Sequence, residues 1–188
     1  MRYNFNLGSL LKSLRPPPKK KIFVSYHHGE DQYYYNIFSK TFADVYDVIH
    51  GNSLDRLTDN DNVDYRMQCI HDECISCSYC TIVLCGAQTP GYKCVDWEIK
   101  ATLDNSHGLI GVNLPTNPLN LQGKYTIPDR LHYNIQSGYA IWANWNNIVR
   151  DVRNLNGLIE MAIRTPRSYI ENDRLSRYEM KLPLIRQL

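Results

Sequence analysis

The sequence lacks any apolar run near the length of about 20 residues that a membrane-spanning helix requires. It also lacks an excess of either charge, since its 188 residues carry 21 Lys and Arg against 19 Asp and Glu. A nearly balanced charge gives no general electrostatic reason to bind a nucleic-acid backbone. We therefore expect a single domain with a sizeable core, no membrane span and no nucleic-acid partner.

An export signal is also missing from the first 20 residues, which have no continuous apolar core and run into the basic segment PPPKKK. We expect residues 1–20 to be a basic, Pro-rich leader that is solvated, with contact to an acidic lipid or a partner as the alternative. The expected location is the cytoplasm, where cysteines are thiols more often than disulfides.

The common phosphate-binding and nucleophile motifs are absent as well. No GxGxxG or GxxxxGK[ST] loop occurs, and no GxSxG elbow is present. A phosphoacceptor receiver domain needs an Asp at the end of its third strand, but the corresponding run here ends in Leu84, Cys85 and Gly86. These absences exclude several familiar α/β enzymes and leave the fold class itself open.

Short apolar runs that alternate with amphipathic segments predict that fold class. The expected strands are Lys21–Tyr26, Val45–Ile49, Cys80–Cys85, Leu109–Leu114 and Tyr139–Trp145. The expected helices are Gln32–Asp44, Asp64–Cys77, Cys94–Asn105 and one that begins after Asn146 or Asn147 and is limited by Pro166. This alternation predicts an α/β, flavodoxin-like parallel sheet of about five strands with helices on both faces. The domain is expected to span residues 21–166, followed by a tail, residues 167–188, that adds one short helix packed on the domain.

Ligands of such sheets bind outside the carboxyl ends of the strands. That rule directs attention to four segments: His27–Asp31, Gly51–Val63, Gly86–Glu98 and Asn113–Asn117. Within the first segment, Asp31 is predicted to cap the helix that follows, because its carboxylate can accept free amide hydrogens of the first turn. The Pro- and Asn-rich stretch Thr116–Gly138 is expected to be mostly irregular.

Four cysteines have a spacing that resembles an iron–sulfur site: Cys69, Cys74, Cys77 and Cys80. A cluster needs its thiolates on an irregular loop, however, and here they fall on a helix pattern and at the start of a core strand. Buried cysteine packs like a small apolar residue. We therefore expect packing roles and no metal site, with the iron–sulfur site as a weaker alternative.

Only six glutamates occur in the chain, and one of them has an unusual position. On the helix predicted over Cys94–Asn105, Val95 and Ile99 belong to the packed face, and Glu98 lies about 60° from Val95 at its border. A carboxylate there is partly desolvated, which raises its proton affinity. The alternative is an ordinary glutamate in a first helical turn, favoured by the helix dipole.

Three segments in order resemble bacterial TIR-like domains, and in particular those of Thoeris anti-phage defence. They read KIFVSYHHGED from Lys21, CTIVLCGAQT from Cys80 and CVDWEI from Cys94. The resemblance covers residues 20–165 and implies a flavodoxin-like fold. Active members of this family cleave the bond between nicotinamide and ribose in NAD⁺, which is a substrate there and not a bound cofactor.

The resemblance assigns roles to six residues. Glu98 falls on the catalytic glutamate, which holds the ribose hydroxyls and stabilises an oxocarbenium-like transition state. Substrate-binding positions are implied for His27, Asp31, Thr89, Cys94 and Trp97. Cys94 stands where many relatives have Trp, which leaves the product open.

The resemblance also implies partners. An ADP-ribose-derived messenger, cyclic or conjugated, would activate a downstream effector, and a phage-derived activator or TIR self-association would precede catalysis. The alternative function is a non-catalytic interaction module that works through self-association, for which 14 Tyr and 3 Trp supply contact area.

Overall fold

Five short strands form one sheet in the computed structural model, which describes residues 18–50 and 73–172. The strands are β1 (Lys20–Ser25), β2 (Tyr46–His50), β3 (Cys80–Cys85), β4 (Gly108–Asn113) and β5 (Ile141–Asn144). Their order is β2-β1-β3-β4-β5, and every neighbouring pair is parallel. The α/β, flavodoxin-like sheet of five strands expected from the sequence is therefore confirmed.

Helices cover both faces of this sheet within the described ranges. They are α1 (Gln32–Phe42), α2 (Lys93–Asp104), α3 (Asp129–Gln136), α4 (Trp145–Arg150) and α5 (Val152–Arg164). Single 3₁₀ turns occupy Thr89–Gly91 and Arg167–Tyr169. The helix predicted over Asp64–Cys77 is seen at residues 73–76, and its remainder lies outside the described residues, as does the loop Gly51–Val63.

Alternate residues of β3 supply two separate layers of the core. Ile82 and Leu84 pack with α1 and α5 on one face, whereas Val83 and Cys85 pack on the other face. That second face contacts the apolar side of α2, whose residues Val95, Ile99 and Leu103 are all buried. The packed face predicted for this helix is confirmed, and it fixes which side of α2 meets the sheet.

The order of the strands reverses between β1 and β3. The chain leaves β1 toward β2 on one side and leaves β3 toward β4 on the other, although β1 and β3 are hydrogen-bonded neighbours. In open parallel sheets this switch point is the usual ligand site, because the two loops diverge there. Here it lies between Ser25 at the end of β1 and Cys85 at the end of β3.

The stretch Thr116–Gly138 differs from its prediction, because α3 lies inside it. Pro128 precedes the first turn of this helix, and Leu131 is its fully buried apolar anchor. The other buried residues of α3 are polar, namely Arg130, His132 and Asn134. The prediction of an irregular segment was therefore wrong over these residues, since the apolar face of this short helix is formed by Leu131 and Ile135 alone, one turn apart.

The helix predicted to begin after Asn146 or Asn147 begins earlier, at Trp145, and is divided in two. Asn144 caps α4 by accepting a hydrogen bond from the Asn146 amide at 3.0 Å. Asp151 then interrupts the helix and caps α5 by accepting from the Arg153 amide at 2.9 Å. The limits assigned to the leader and to the C-terminal tail stay predictions, since residues 1–17 and 173–188 are outside the described ranges.

Candidate active site at the switch point

Glu98 points from α2 toward the end of β1. Its carboxylate accepts a hydrogen bond from the Ser25 hydroxyl at 2.5 Å, and only 3% of the residue is exposed. The helical wheel places Glu98 at the border of the packed face, but the neighbouring end of β1 covers this border. The carboxylate is therefore more deeply buried than the sequence indicates.

Burial changes the acidity of Glu98. Loss of hydration raises the pKa of its carboxyl from 4.5 to about 8, and the hydrogen bond from Ser25 opposes this rise. A free site at neutral pH therefore holds Glu98 mainly in its protonated form. A cation that enters the site favours the ionised form, because opposite charges attract strongly where water is excluded.

Tyr92 and His27 lie beside the N-terminus of α2. Tyr92 is the residue before the helix, and its ring lies 4.5 Å from the imidazole of His27, measured between centroids. Burial, followed by interaction with Cys94, raises the pKa of Tyr92 to about 12. The Nδ1 atom of His27 accepts a hydrogen bond from the Glu30 amide at 3.3 Å. The loop after β1 and the start of α2 are therefore in contact through the rings of His27 and Tyr92.

Cys94 and Trp97 occupy the first turns of α2 and are both half-buried. The thiol of Cys94 hydrogen-bonds with Tyr92, so it is tied to the ring pair at the helix start. Trp97 precedes Glu98 on the helix. Contact of either side chain with a substrate stays a prediction.

Asp31 has the predicted position but not the predicted hydrogen bond. It stands at the N-cap position of α1, but its side chain makes no capping hydrogen bond. Its carboxylate, which is completely buried, instead accepts from the hydroxyls of Thr89 at 3.2 Å and Thr116 at 3.1 Å. Burial raises the pKa of Asp31, and these two hydrogen bonds partly offset the rise. The prediction of a side-chain cap was wrong, because partners distant in sequence compete for the carboxylate.

Gly86 allows this arrangement. A Cβ atom at Gly86 would lie 2.2 Å from a carboxylate oxygen of Asp31, a distance that no methyl group tolerates. The Gly86 amide donates to the Thr89 hydroxyl oxygen at 2.8 Å. Through its hydrogen bonds with Thr89 and Thr116, Asp31 joins the loops that follow β1, β3 and β4. These contacts hold the three loops in position. Direct contact of Asp31 or Thr89 with a substrate stays a prediction.

The cysteines that suggested an iron–sulfur alternative do not form one cluster in the described part of the chain. Cys80 is buried in β3, where its thiol donates to the Thr81 carbonyl at 3.7 Å and burial raises its pKa. Cys74 is half-buried, Cys77 is exposed, and Cys69 lies outside the described residues. Within those residues, no three His, Cys, Asp or Glu side chains form a group able to hold a metal ion.

Two residues of the site were missed by sequence reasoning. Ser25 lies in the predicted strand Lys21–Tyr26 and Tyr92 in the segment Gly86–Glu98, but neither was proposed as a site residue. The sequence did point to Ser25, since it is the last residue of β1 and the last residues of parallel strands lie at the ligand edge of the sheet.

No helix among residues 18–50 and 73–172 has the length and apolar character needed to cross a membrane.

Three comparisons place the chain among known proteins. No curated protein matches the sequence. The TIR domains in the structure "activated Roq1 resistosome directly recognizing the pathogen effector XopQ" are 11% identical, with a TM-score of 0.37 over 78% of this chain and 86% of that chain. A family model described as "Thoeris protein ThsB, TIR-like domain" matches residues 23–118, which is just over half of the chain and includes both Ser25 and Glu98. The chain therefore belongs to the family of Thoeris ThsB TIR-like domains.

Proposed function

We propose that this protein cleaves the glycosidic bond between nicotinamide and ribose in NAD⁺, with Glu98 as the catalytic residue. The observation that carries the proposal is the position of Glu98, which is buried at the strand switch point and hydrogen-bonded to Ser25 at 2.5 Å. The membership of the chain in a TIR-like family adds the substrate class.

The chemistry fits a carboxylate of this kind. When the bond between C1′ and the pyridinium nitrogen breaks, its electron pair leaves with nicotinamide, which becomes neutral. The ribose is left with oxocarbenium character, and an ionised Glu98 stabilises that positive charge. The low polarity that burial provides makes this stabilisation larger than it would be in water.

The raised pKa of Glu98 makes its charge depend on the presence of the substrate. The nicotinamide ring of NAD⁺ carries a positive charge, so its arrival favours loss of the proton from Glu98. Ser25 donates to the carboxylate and so favours the same ionised form. The free site would then be mainly protonated and would become charged when the cationic substrate binds.

The fate of the ADP-ribosyl group is the second part of the proposal. The electrophilic C1′ carbon is captured by water, by a nucleophile within the same molecule or by a nucleophile of a second molecule, with release of a proton, which gives a linear, a cyclic or a conjugated product. We propose that a cyclic or conjugated product is the messenger that activates a partner effector in anti-phage defence. A phage-derived activator or self-association would precede catalysis.

Nicotinamide release tests the catalytic part. It is measured with purified protein and with phage-challenged cells that express it, for wild type, Glu98→Gln and Glu160→Gln. Glu160 is the matched control, since it lies on α5 and pairs with Lys20 far from the switch point. We expect release by wild type and Glu160→Gln, and at least a hundredfold less from Glu98→Gln.

Two results would overturn the proposal. One is equal release by Glu98→Gln and wild type, which removes Glu98 from the mechanism. The other is full anti-phage protection by Glu98→Gln with no fall in NAD⁺ in any strain, which favours the interaction module. Mass spectrometry of small molecules from the infected cells identifies the product.

A further inference from the structure

A short C-terminal segment crosses the outer side of the helix that carries Glu98. After α5 and the turn Arg167–Tyr169, residues 170–172 lie against α2 and α3. The Asn134 amide group of α3 donates to the Glu171 carbonyl at 2.8 Å and accepts from the Glu171 amide at 3.0 Å. The segment is therefore held by paired hydrogen bonds of the kind that join strands.

Arg130 is the centre of this contact and is 1% exposed. Its Nε and Nη2 atoms donate to the two carboxylate oxygens of Asp96 on α2, at 3.0 and 3.2 Å. Its Nη1 atom donates to the carbonyl and side-chain oxygens of Asn172, at 2.9 and 2.7 Å. One guanidinium thus joins α2, α3 and the C-terminal segment, which a point-like ammonium cannot do with the same geometry.

The outer contact and the inner contact of α2 involve residues that are close in sequence. Asp96 and Glu98 are two positions apart, so their side chains diverge by about 200° around the helix. Asp96 faces Arg130, and Glu98 faces Ser25. The first half of α2 is therefore fixed from both sides, with the C-terminal segment on one side and the end of β1 on the other.

Asn172 adds a second attachment on the same helix, because its side-chain amide donates to Asp104 near the C-terminus of α2. Asp96 and Asp104 lie in the first and last turns of this helix. The segment is therefore linked to both ends of α2, directly at Asp104 and through Arg130 at Asp96, which opposes tilting of the helix.

We propose that Arg130 is a positioning residue for Glu98, and that it holds the catalytic helix against β1 by clamping Asp96 to Asn172 in the segment that follows α5. This inference rests on the proposed function for its effect on catalysis but not for its effect on the helix. The clamp restricts α2, so that the Glu98 carboxylate stays within reach of the Ser25 hydroxyl.

Hydrogen–deuterium exchange tests the clamp without any assay of activity. The variants are Arg130→Lys, which loses the forked geometry, and Asn172→Ala, which removes only an outer side chain and leaves the buried ion pair intact. Asn154→Ala is the matched control, because that exposed asparagine donates to the Asn147 carbonyl in the opposite helical layer. Exchange is followed in peptides that cover α2 and α5.

In both clamp variants we expect amides of α2 to exchange more than threefold faster, while those of α5 change by less than twofold. The control is expected to leave α2 unchanged. A smaller change in α2, or equal acceleration in α5, overturns the proposal, because a merely structural role would loosen the whole domain. Asn172→Ala keeps this test decisive even where Arg130→Lys fails to fold.

The kinetic readout separates the clamp from the proposed reaction. For nicotinamide release we expect kcat of Asn172→Ala to fall about fivefold, with KM changed by less than twofold, since positioning and not binding is affected. Should wild type release no nicotinamide, the proposed function fails, whereas the exchange result still decides whether the clamp exists. Faster exchange in α2 with unchanged kcat overturns the positioning role alone.

Discussion

Ser25 and Glu98 are 73 residues apart in the sequence, yet a hydrogen bond of 2.5 Å joins the Ser25 hydroxyl to the Glu98 carboxylate. The sheet explains this contact, because β1 and β3 are neighbours and α2 packs on the face that β3 presents. Burial raises the proton affinity of this carboxylate, whereas the hydrogen bond from Ser25 lowers it. The first prediction separates them.

Ser25→Ala removes the influence that favours the ionised carboxylate. Because the hydrogen bond from Ser25 lowers the pKa of Glu98, its loss raises that pKa above about 8. The acid limb of kcat/KM against pH should then move to higher pH, and activity at pH 7 should fall about tenfold for each unit of displacement. The pH dependence of nicotinamide release measures both.

Ser39→Ala is the control for this change. Ser39 is half-buried on α1, and its hydroxyl interacts with Tyr35 rather than with a carboxylate. It should leave the acid limb in place. An acid limb that is the same in Ser25→Ala and wild type would show that the hydroxyl does not act on Glu98.

The second prediction concerns stability, and its sign follows from the raised pKa. Glu98 has a pKa near 4.5 when unfolded and about 8 when folded, so the folded state binds the proton more tightly. The associated stability is present in full below pH 4.5 and is lost as the pH rises through about 8. The loss between pH 4.5 and pH 7 is on the order of 3 kcal/mol.

Glu98→Gln should abolish this loss, because an amide does not titrate. Urea unfolding at pH 5 and pH 8 is the measurement, with Glu160→Gln as the exposed counterpart. The free energy of unfolding of Glu98→Gln minus that of wild type should be larger at pH 8 than at pH 5, because only wild type loses this stability as the pH rises. A difference between the two proteins that does not depend on pH would contradict the assigned proton affinity.

Much of the fold follows from local patterns, whereas several site contacts do not. The β-branched and apolar run Cys80–Cys85 predicts a buried strand without reference to other segments. Helical periodicity likewise locates α2 and brings Glu98 to notice. These features depend on residues within a dozen positions of one another, so the sequence displays them directly.

The features that were missed depend on distant partners. The buried guanidinium of Arg130 on α3 is satisfied by Asp96 and Asn172, and these partners lie 34 and 42 positions away. Asp31 occupies the N-cap position that the local sequence predicts, but its side chain does not cap the helix. Its carboxylate accepts a hydrogen bond from Thr89, 58 residues later in the sequence, instead. Only the folded chain brings such partners together.

The third prediction concerns the close approach between Gly86 and Asp31. Gly86→Ala places a methyl group 2.2 Å from a carboxylate oxygen, so either the loop or the buried Asp31 must move. We expect a loss of about 3 kcal/mol in the free energy of unfolding, within the range for disruption of a buried polar network. Chemical denaturation measures it.

Gly91→Ala is a matched control on the same loop. A Cβ atom there meets no atom within 4 Å, so its effect should stay within about 0.5 kcal/mol of wild type. Similar losses for both variants would mean that general rigidity of the loop, and not the contact with Asp31, sets the need for glycine.

The last prediction uses Thr116, whose hydroxyl donates to Asp31 at 3.1 Å. Thr116→Val removes that donor, and because the hydrogen bond lowers the pKa of Asp31, the pKa should rise further above 3.8. A carboxyl with a raised folded pKa loses stability as the pH rises through that pKa. The variant should therefore lose about 1 kcal/mol at pH 7 and less at pH 4, where a larger fraction of Asp31 is protonated than at pH 7. Thr165→Val serves as the control, since its hydroxyl donates to the neutral Met161 carbonyl and its cost should be the same at both pH values. If Thr116→Val also shows no dependence on pH in urea unfolding, Asp31 is not the group that the hydroxyl stabilises.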